Sequence, residues 1–208
     1  MDLTLRPFFR LPIPEIAEAA QHLNEAVTAH LAGRTAIADE LIRRTNTEDI
    51  WEWGNSLMRE EKEFIRYRHV LDAPPRLPPS QQASKYIPMA LRRRLLQRDG
   101  YHCRFCGIPV IRAEVRAQIR KAYPDALPWG DSNRTQHAAF QTMWVQYDHL
   151  LPRAKGGRNE LDNLLITCAP CNYGRMKYIL EEVGLIDPLT RDPVRSTWDG
   201  LERFRLIP

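Results

Sequence analysis

The chain has 208 residues, 43% hydrophobic and 27% charged. This excludes a wholly disordered chain or a miniature disulfide scaffold and suits one medium domain or a small domain with an appendage. The formal net charge of +4 is a modest excess, so its placement matters more than its size. No stretch approaches the ~18 apolar residues of a membrane span, and the first residues lack a signal-peptide core, so a soluble, cytoplasmic protein is expected.

Residues 1–71 read as helical. Pro12 and Pro14 precede Ile16, Ala19, Ala20, Leu23, Ala26 and Val27, the spacing of one apolar helix face, and Gly33 is a fitting stop. A second helix is expected over 36–44. Thr47 is a candidate N-cap with Glu48 and Asp49 in the favourable first turn. It opens a long helix carrying Ile50, Trp53, Leu57, Phe64 and Ile65 towards Leu71, with a solvated charged run over 59–63. Pro74, Pro75, Pro78 and Pro79 stop any helix, so 72–84 reads as a linker.

Beyond it, residues 88–99 read as a short helix ended by Gly100. A turn between two short strands is expected around residue 103, and a basic amphipathic helix over 110–123. Residues 143–147 and 164–167 read as strands. A helix is expected to start near residue 171 and run to about 182, with Gly184 as its cap. Trp129 and Trp144 read as packing residues. His137 lies in the stretch before the first strand, where it could approach a site built there.

All four cysteines fall in two Cys-x-x-Cys knuckles, Cys103/Cys106 and Cys168/Cys171. Each knuckle grips one ion from a single turn, and two of them complete a closed tetrahedral site. A structural Zn²⁺ is therefore expected. The gap between the knuckles is far longer than the ~15–20 residues of a zinc ribbon, so the intervening chain must form structure of its own and return. That gap contains Asp148-His149 and Asn163, and Asn172 directly follows the last cysteine.

Arg98-Asp99-Gly100-Tyr101-His102-Cys103-Arg104-Phe105-Cys106-Gly107, Asp148-His149-Leu150-Leu151-Pro152-Arg153, Gly156-Gly157, Asp162-Asn163-Leu164 and Cys168-Ala169-Pro170-Cys171-Asn172 together resemble the zinc-knuckle branch of the HNH endonuclease superfamily. The likeness covers roughly residues 86–183. With the mainly α-helical region over 1–71 and the 72–84 linker read above, an α+β chain is expected, and the likeness implies a ββα-metal nuclease domain over 85–208 with an insert at about 108–142. It further implies that His149 deprotonates the attacking water, that Asp148 and Asn172 hold a catalytic Mg²⁺ or Mn²⁺, and that Asn163 braces the loop and orients His149. Oxygen donors suit such a hard cation, and a neutral histidine can accept the proton. Neighbouring Asp and His on an extended segment point to opposite faces, so a bulge or the strand end must turn both towards one phosphate.

Arg104, Arg153, Lys155, Arg158, Arg175 and Lys177 surround these motifs and are expected to contact nucleic-acid phosphates. The expected activity is hydrolysis of DNA, with defence against foreign DNA among the compatible roles. An RNA nuclease and a catalytically inactive zinc-stabilised DNA- or protein-binding module are the alternatives. A homodimer, and a protein partner docked through residues 1–71, are left open.

Overall fold

The computed structural model describes residues 5–59 and 63–206. Helix α1 (Pro14–Leu31) begins with a proline, whose missing N–H costs nothing in a first turn. It buries Ile16, Ala19, Ala20, Leu23, Ala26 and Val27 as one face. The chain then turns at Gly33 (φ 73°), and α2 (Thr35–Arg44) packs back on α1 through Ala38 and Ile42. Helix α3 (Glu48–Met58) is capped by Thr47, whose side chain accepts from the Ile50 N–H. Its apolar face of Ile50, Trp53 and Leu57 meets α6 (Ala138–Thr142) and α7 (Ala169–Arg175).

Two glycines allow that approach. A Cβ on Gly54 would lie 2.6 Å from Thr142 Oγ1, and one on Gly174 would lie 2.9 Å from Ile65 Cδ1. The expected continuation of α3 towards Leu71 does not occur. The helix stops at Met58, and Ile65 instead turns in against Gly174. Most of the expected charged run, residues 60–62, lies outside the described residues.

Residues 72–84 are free of α-helix, as their prolines require, but they are not a loose linker. The Leu77 N–H donates to the Ala154 carbonyl (2.7 Å), and Arg153 Nη1 donates to the Ala83 carbonyl (2.7 Å). The segment is a strap lying on the 153–159 loop. The helices of the first third and the later elements share one continuous hydrophobic core that reaches from Phe9 to Phe204. Packing therefore does not separate 1–71 from 85–208.

Helix α4 (Met89–Asp99) ends at Gly100 (φ 72°) and lies against the strand formed by residues 164–168. Its last residue, Asp99, is buried and accepts from the Ile166 N–H (3.0 Å). The first knuckle is a turn closed by Cys103 N–H to the Ile108 carbonyl (2.9 Å). A single bridge, His102↔Pro109, replaces the two expected strands, because Pro109 has no N–H with which to extend a ladder. Helix α5 (Ala113–Ala122) buries Val115 and Ile119. Strands β1 (Val145–His149) and β2 (Leu164–Cys168) pair antiparallel, with Val145 opposite Cys168 and His149 opposite Leu164. Helix α7 follows β2 without a break and stops at Arg175, short of the expected 182. Gly184 instead caps a 3₁₀ turn at Glu181–Val183. No helix among the described residues is long and apolar enough to cross a membrane.

The core generates two predictions. Trp53 is fully buried and its Nε1–H donates to the Leu11 carbonyl (2.8 Å). Trp53→Ala should cost roughly 3–5 kcal/mol in urea unfolding.

His137 is fully buried and donates through Nε2 to the Ile42 carbonyl (3.1 Å), so it ties α6 to α2 and does not approach the site. Burial pushes its pKa down to about 4, below the ~6.5 of an unfolded histidine. The unfolded chain binds the proton better. The stability gained by keeping His137 neutral is therefore complete above pH ~6.5 and is lost as the pH falls towards about 4. His137→Gln should remove up to roughly 3 kcal/mol of the acid-induced loss, read as a smaller shift of the urea midpoint between neutral and mildly acid pH.

Candidate active site and metal centre

The four cysteines are brought together by three elements. Cys103 and Cys106 come from the turn after α4, Cys168 ends β2 and serves as the N-cap residue of α7, and Cys171 lies in the first turn of α7. Their sulfurs all lie within 4.8 Å of one another, and Cys106 Sγ is 3.7 Å from Cys168 Sγ. A tetrahedral ion with bonds of ~2.3 Å needs sulfur–sulfur edges of about 3.8 Å, so the spacing suits zinc. All four are free thiols.

Burial and the Cys103 and Cys106 sulfurs hold Cys168 well above the ordinary thiol value. The three other sulfurs, then burial, do the same to Cys171. Burial also opposes ionisation of Cys103, but hydrogen bonds from the other three sulfurs outweigh it and bring that thiol well below its ordinary value. Four thiolates this close together repel one another, so without a cation they do not all ionise. Only a cation makes four thiolates affordable here, and the cluster can hold a metal such as zinc.

β1 delivers Asp148 and His149. The ladder runs unbroken through Asp148↔Leu165 and His149↔Leu164, so no bulge turns the two side chains to one side and they leave opposite faces. Asp148 faces α7. It is 5% exposed, and its two oxygens accept from Nε and Nη2 of Arg175. Arg175 is itself fully buried. Its guanidinium also donates to the carbonyls of His149, Leu150 (3.2 Å) and Tyr178 (2.7 Å). Gln146, on the same face as Asp148, accepts from the Asn172 amide at 3.5 Å. Asp148 and Asn172 thus share the side of β1 that α7 covers.

His149 turns the other way. Its Nε2 lies 2.8 Å from Asn159 Oδ1, and burial lowers its pKa, so the imidazole is neutral at pH 7. Asn163 braces the loop: its Oδ1 accepts from Leu151 N–H (2.8 Å), and its Nδ2 donates to the carbonyls of Leu151 (3.2 Å) and Arg158 (3.0 Å). The expected contact between Asn163 and His149 is made by Asn159 instead. Sequence reading missed Asn159, because polar residues are common in a loop and nothing local marks this one. Gly157 is required in that loop, since a Cβ there would lie 1.7 Å from the Leu151 carbonyl oxygen.

The basic residues divide. Arg175 is not a phosphate contact, because it is consumed by Asp148 and backbone carbonyls. Arg104 is likewise internal: it is buried and donates to the carbonyls of Pro188 and Arg191. Lys155 is held by Glu182 at 2.8 Å, with its side chain 10% exposed. Arg158 and Lys177 are exposed and Arg153 is half-buried. The Arg116 guanidinium lies 3.5 Å from the ring centre of Trp129 and 4.7 Å from that of Trp144, so it packs against both indoles.

Residues 137–175 match the HNH endonuclease family. No curated protein and no solved structure matches the chain. The HNH segment begins at the buried His137, contains β1, the braced loop and β2, and closes on Arg175. It therefore ends on the residue that grips Asp148. The first knuckle lies outside it and joins it through sulfur.

Protein prepared without chelator should contain about one zinc per chain by elemental analysis, and Cys168→Ser should lose it. Arg175→Met should destabilise the fold by about 3–5 kcal/mol, because it strands a buried carboxylate. Adding Asp148→Leu to that variant should restore much of the loss in a double-mutant cycle.

Proposed function

We propose that the chain is a metal-dependent HNH endonuclease that hydrolyses DNA phosphodiester bonds. The observation that carries this reading is that the segment matching the family holds Asp148-His149 on β1, the loop-bracing Asn163 just before β2, and Asn172 on the helix that follows β2. This order supports a ββα-metal site. His149, neutral at pH 7, takes a proton from water. The water oxygen bonds to phosphorus, the bond to the 3′-oxygen breaks, and that oxygen takes a proton from solvent.

Asp148 and Asn172 would hold the divalent ion, Mg²⁺ or Mn²⁺. Their oxygen donors suit it, and a carboxylate that accepts a bidentate arginine keeps further lone pairs. When bound, the ion offsets charge developing on the phosphate and the leaving oxygen. Arg153, Arg158 and Lys177 are the remaining candidates among the expected residues for phosphate contacts, which supply affinity without sequence information.

Two observations favour a second reading. The Asp148 carboxylate is already neutralised by a buried arginine, and Asp148 and His149 leave opposite faces of β1 instead of meeting at one phosphate, as would suit a zinc-stabilised binding module without catalysis. Cleavage of supercoiled plasmid separates the two. Mg²⁺ or Mn²⁺ should support nicking, EDTA should stop it, and His149→Ala should lower the rate by roughly 10²–10⁴-fold while leaving zinc content unchanged. Products unaffected by both EDTA and the substitution would overturn the nuclease reading. DNA bound but never cut would favour the binding module. Parallel RNA substrates test the choice of nucleic acid.

A further inference from the structure

His149 has two ring nitrogens, and only one can carry the proton in the neutral ring. Which one is decided by its neighbour. Asn159 offers His149 Nε2 either an oxygen or an NH₂ group, and the strap removes that ambiguity. The NH₂ end of the Asn159 amide donates to the Ser84 carbonyl (3.0 Å) and to the Tyr86 carbonyl (3.0 Å). Turning the amide over would set its oxygen against both carbonyl oxygens. Oδ1 must therefore face His149, 2.8 Å from Nε2. An acceptor there demands Nε2–H.

We propose that Asn159, held by the carbonyls of Ser84 and Tyr86 where the strap ends, is a positioning residue that fixes His149 as the Nε2–H tautomer and leaves Nδ1 as the atom that accepts the proton from water. The tautomer assignment stands on geometry alone, whereas the role of Nδ1 rests on the nuclease reading. The strap is well anchored for this task. Leu77 and Ala83 bond to Ala154 and Arg153 in the same loop, Ser84 Oγ accepts from the Tyr86 N–H (3.1 Å), and Ile87 is buried immediately after it. Asparagine is the side chain that serves both ends. An aspartate would keep the acceptor for His149 but face the two strap carbonyls with a second anionic edge. An alanine would lose both contacts.

The test is a two-bond ¹⁵N–¹H correlation spectrum of histidine-labelled full-length protein at a pH where His149 is neutral, with its signals assigned by their loss in His149→Ala. Wild type should show the Nε2–H pattern. In Asn159→Ala the Nδ1–H form should appear, and kcat on plasmid should fall by roughly 10- to 100-fold with KM nearly unchanged. Asn159→Asp should keep the Nε2–H pattern while amide exchange across 77–87 accelerates. Unchanged zinc content and circular dichroism establish that the variants fold. An Nδ1–H pattern in wild type, or an unaltered tautomer in Asn159→Ala, would overturn the proposal. If the tautomer responds as expected but wild type cuts no nucleic acid, the tautomer assignment stands, and the nuclease reading falls together with the role given to Nδ1.

Discussion

The convergence of four sulfurs at the junction of β2 and α7 is the constraint on which the rest of the structure depends. Cys168 is both the last residue of a strand and the N-cap residue of a helix, and Cys171 lies in that helix's first turn. The phase of α7 is thereby set. Asn172 must follow the knuckle at once, and Arg175 must come one turn later on the side that meets β1. In small zinc peptides such a site is worth apparent energies of ~10–16 kcal/mol, comparable to the whole net stability of an ordinary domain at about 5–15 kcal/mol. A two-stranded sheet is marginal alone. Here it is held from one side by the sulfur cluster, and from the other by Asp99, whose carboxylate accepts from the Ile166 N–H in the middle of β2.

The strand pair then divides its labour by face. The α7-facing side of β1 carries Gln146 and Asp148, and there a buried guanidinium meets a buried carboxylate. Such a pair contributes little net stability, because desolvation of both charges consumes most of the attraction. Its larger effect is geometric. Arg175 joins Asp148, the His149 and Leu150 carbonyls and Tyr178 in one fork, so the end of β1 cannot shift without stranding charge. The other side of β1 carries His149, whose hydrogen-bond partner Asn159 is neutral. Asp148 is thus tied to the cysteine-bearing helix α7, and His149 to the loop and strap.

What was legible in the sequence was local. The start of α1 at a proline, the Thr47 cap, the stop at Gly100, both strands and both knuckles are each announced by a few neighbouring residues whose conformational limits do not depend on the rest of the chain. What was missed depends on partners distant in sequence. Residues 176–182 are compatible with helix, but α7 ends where Arg175 is drawn to β1. The prolines of 72–84 forbid helix without saying where the chain lies, so a bound strap reads as a linker. An arginine is written the same way whether it meets a phosphate or a buried aspartate, and Arg104 and Arg175 were misread for that reason. Asn163 hydrogen-bonds within its own loop, whereas the contact with His149 is made by Asn159, four residues earlier, and is apparent only once Ser84 and Tyr86 are beside it.

The two anchors of β1 differ in kind. Filled by zinc, the sulfur cluster would be strong and closed, since four thiolates leave an ion no open position. The strap is weak by comparison: one hydrogen bond from the Arg153 guanidinium and several neutral ones, each worth about 1 kcal/mol net, on a partly exposed loop. A rigid side for Asp148 and Asn172 is therefore joined to a softer side for His149. Local opening with a free energy well below that of global unfolding is the expected behaviour of such a loop. The continuous core confines this softness. Helix α3 packs on α6 and α7, close to Gly54 and Gly174, so it stiffens the side that carries Asp148 and Asn172, and the least restrained part of the site is the 153–159 loop with the strap that holds it.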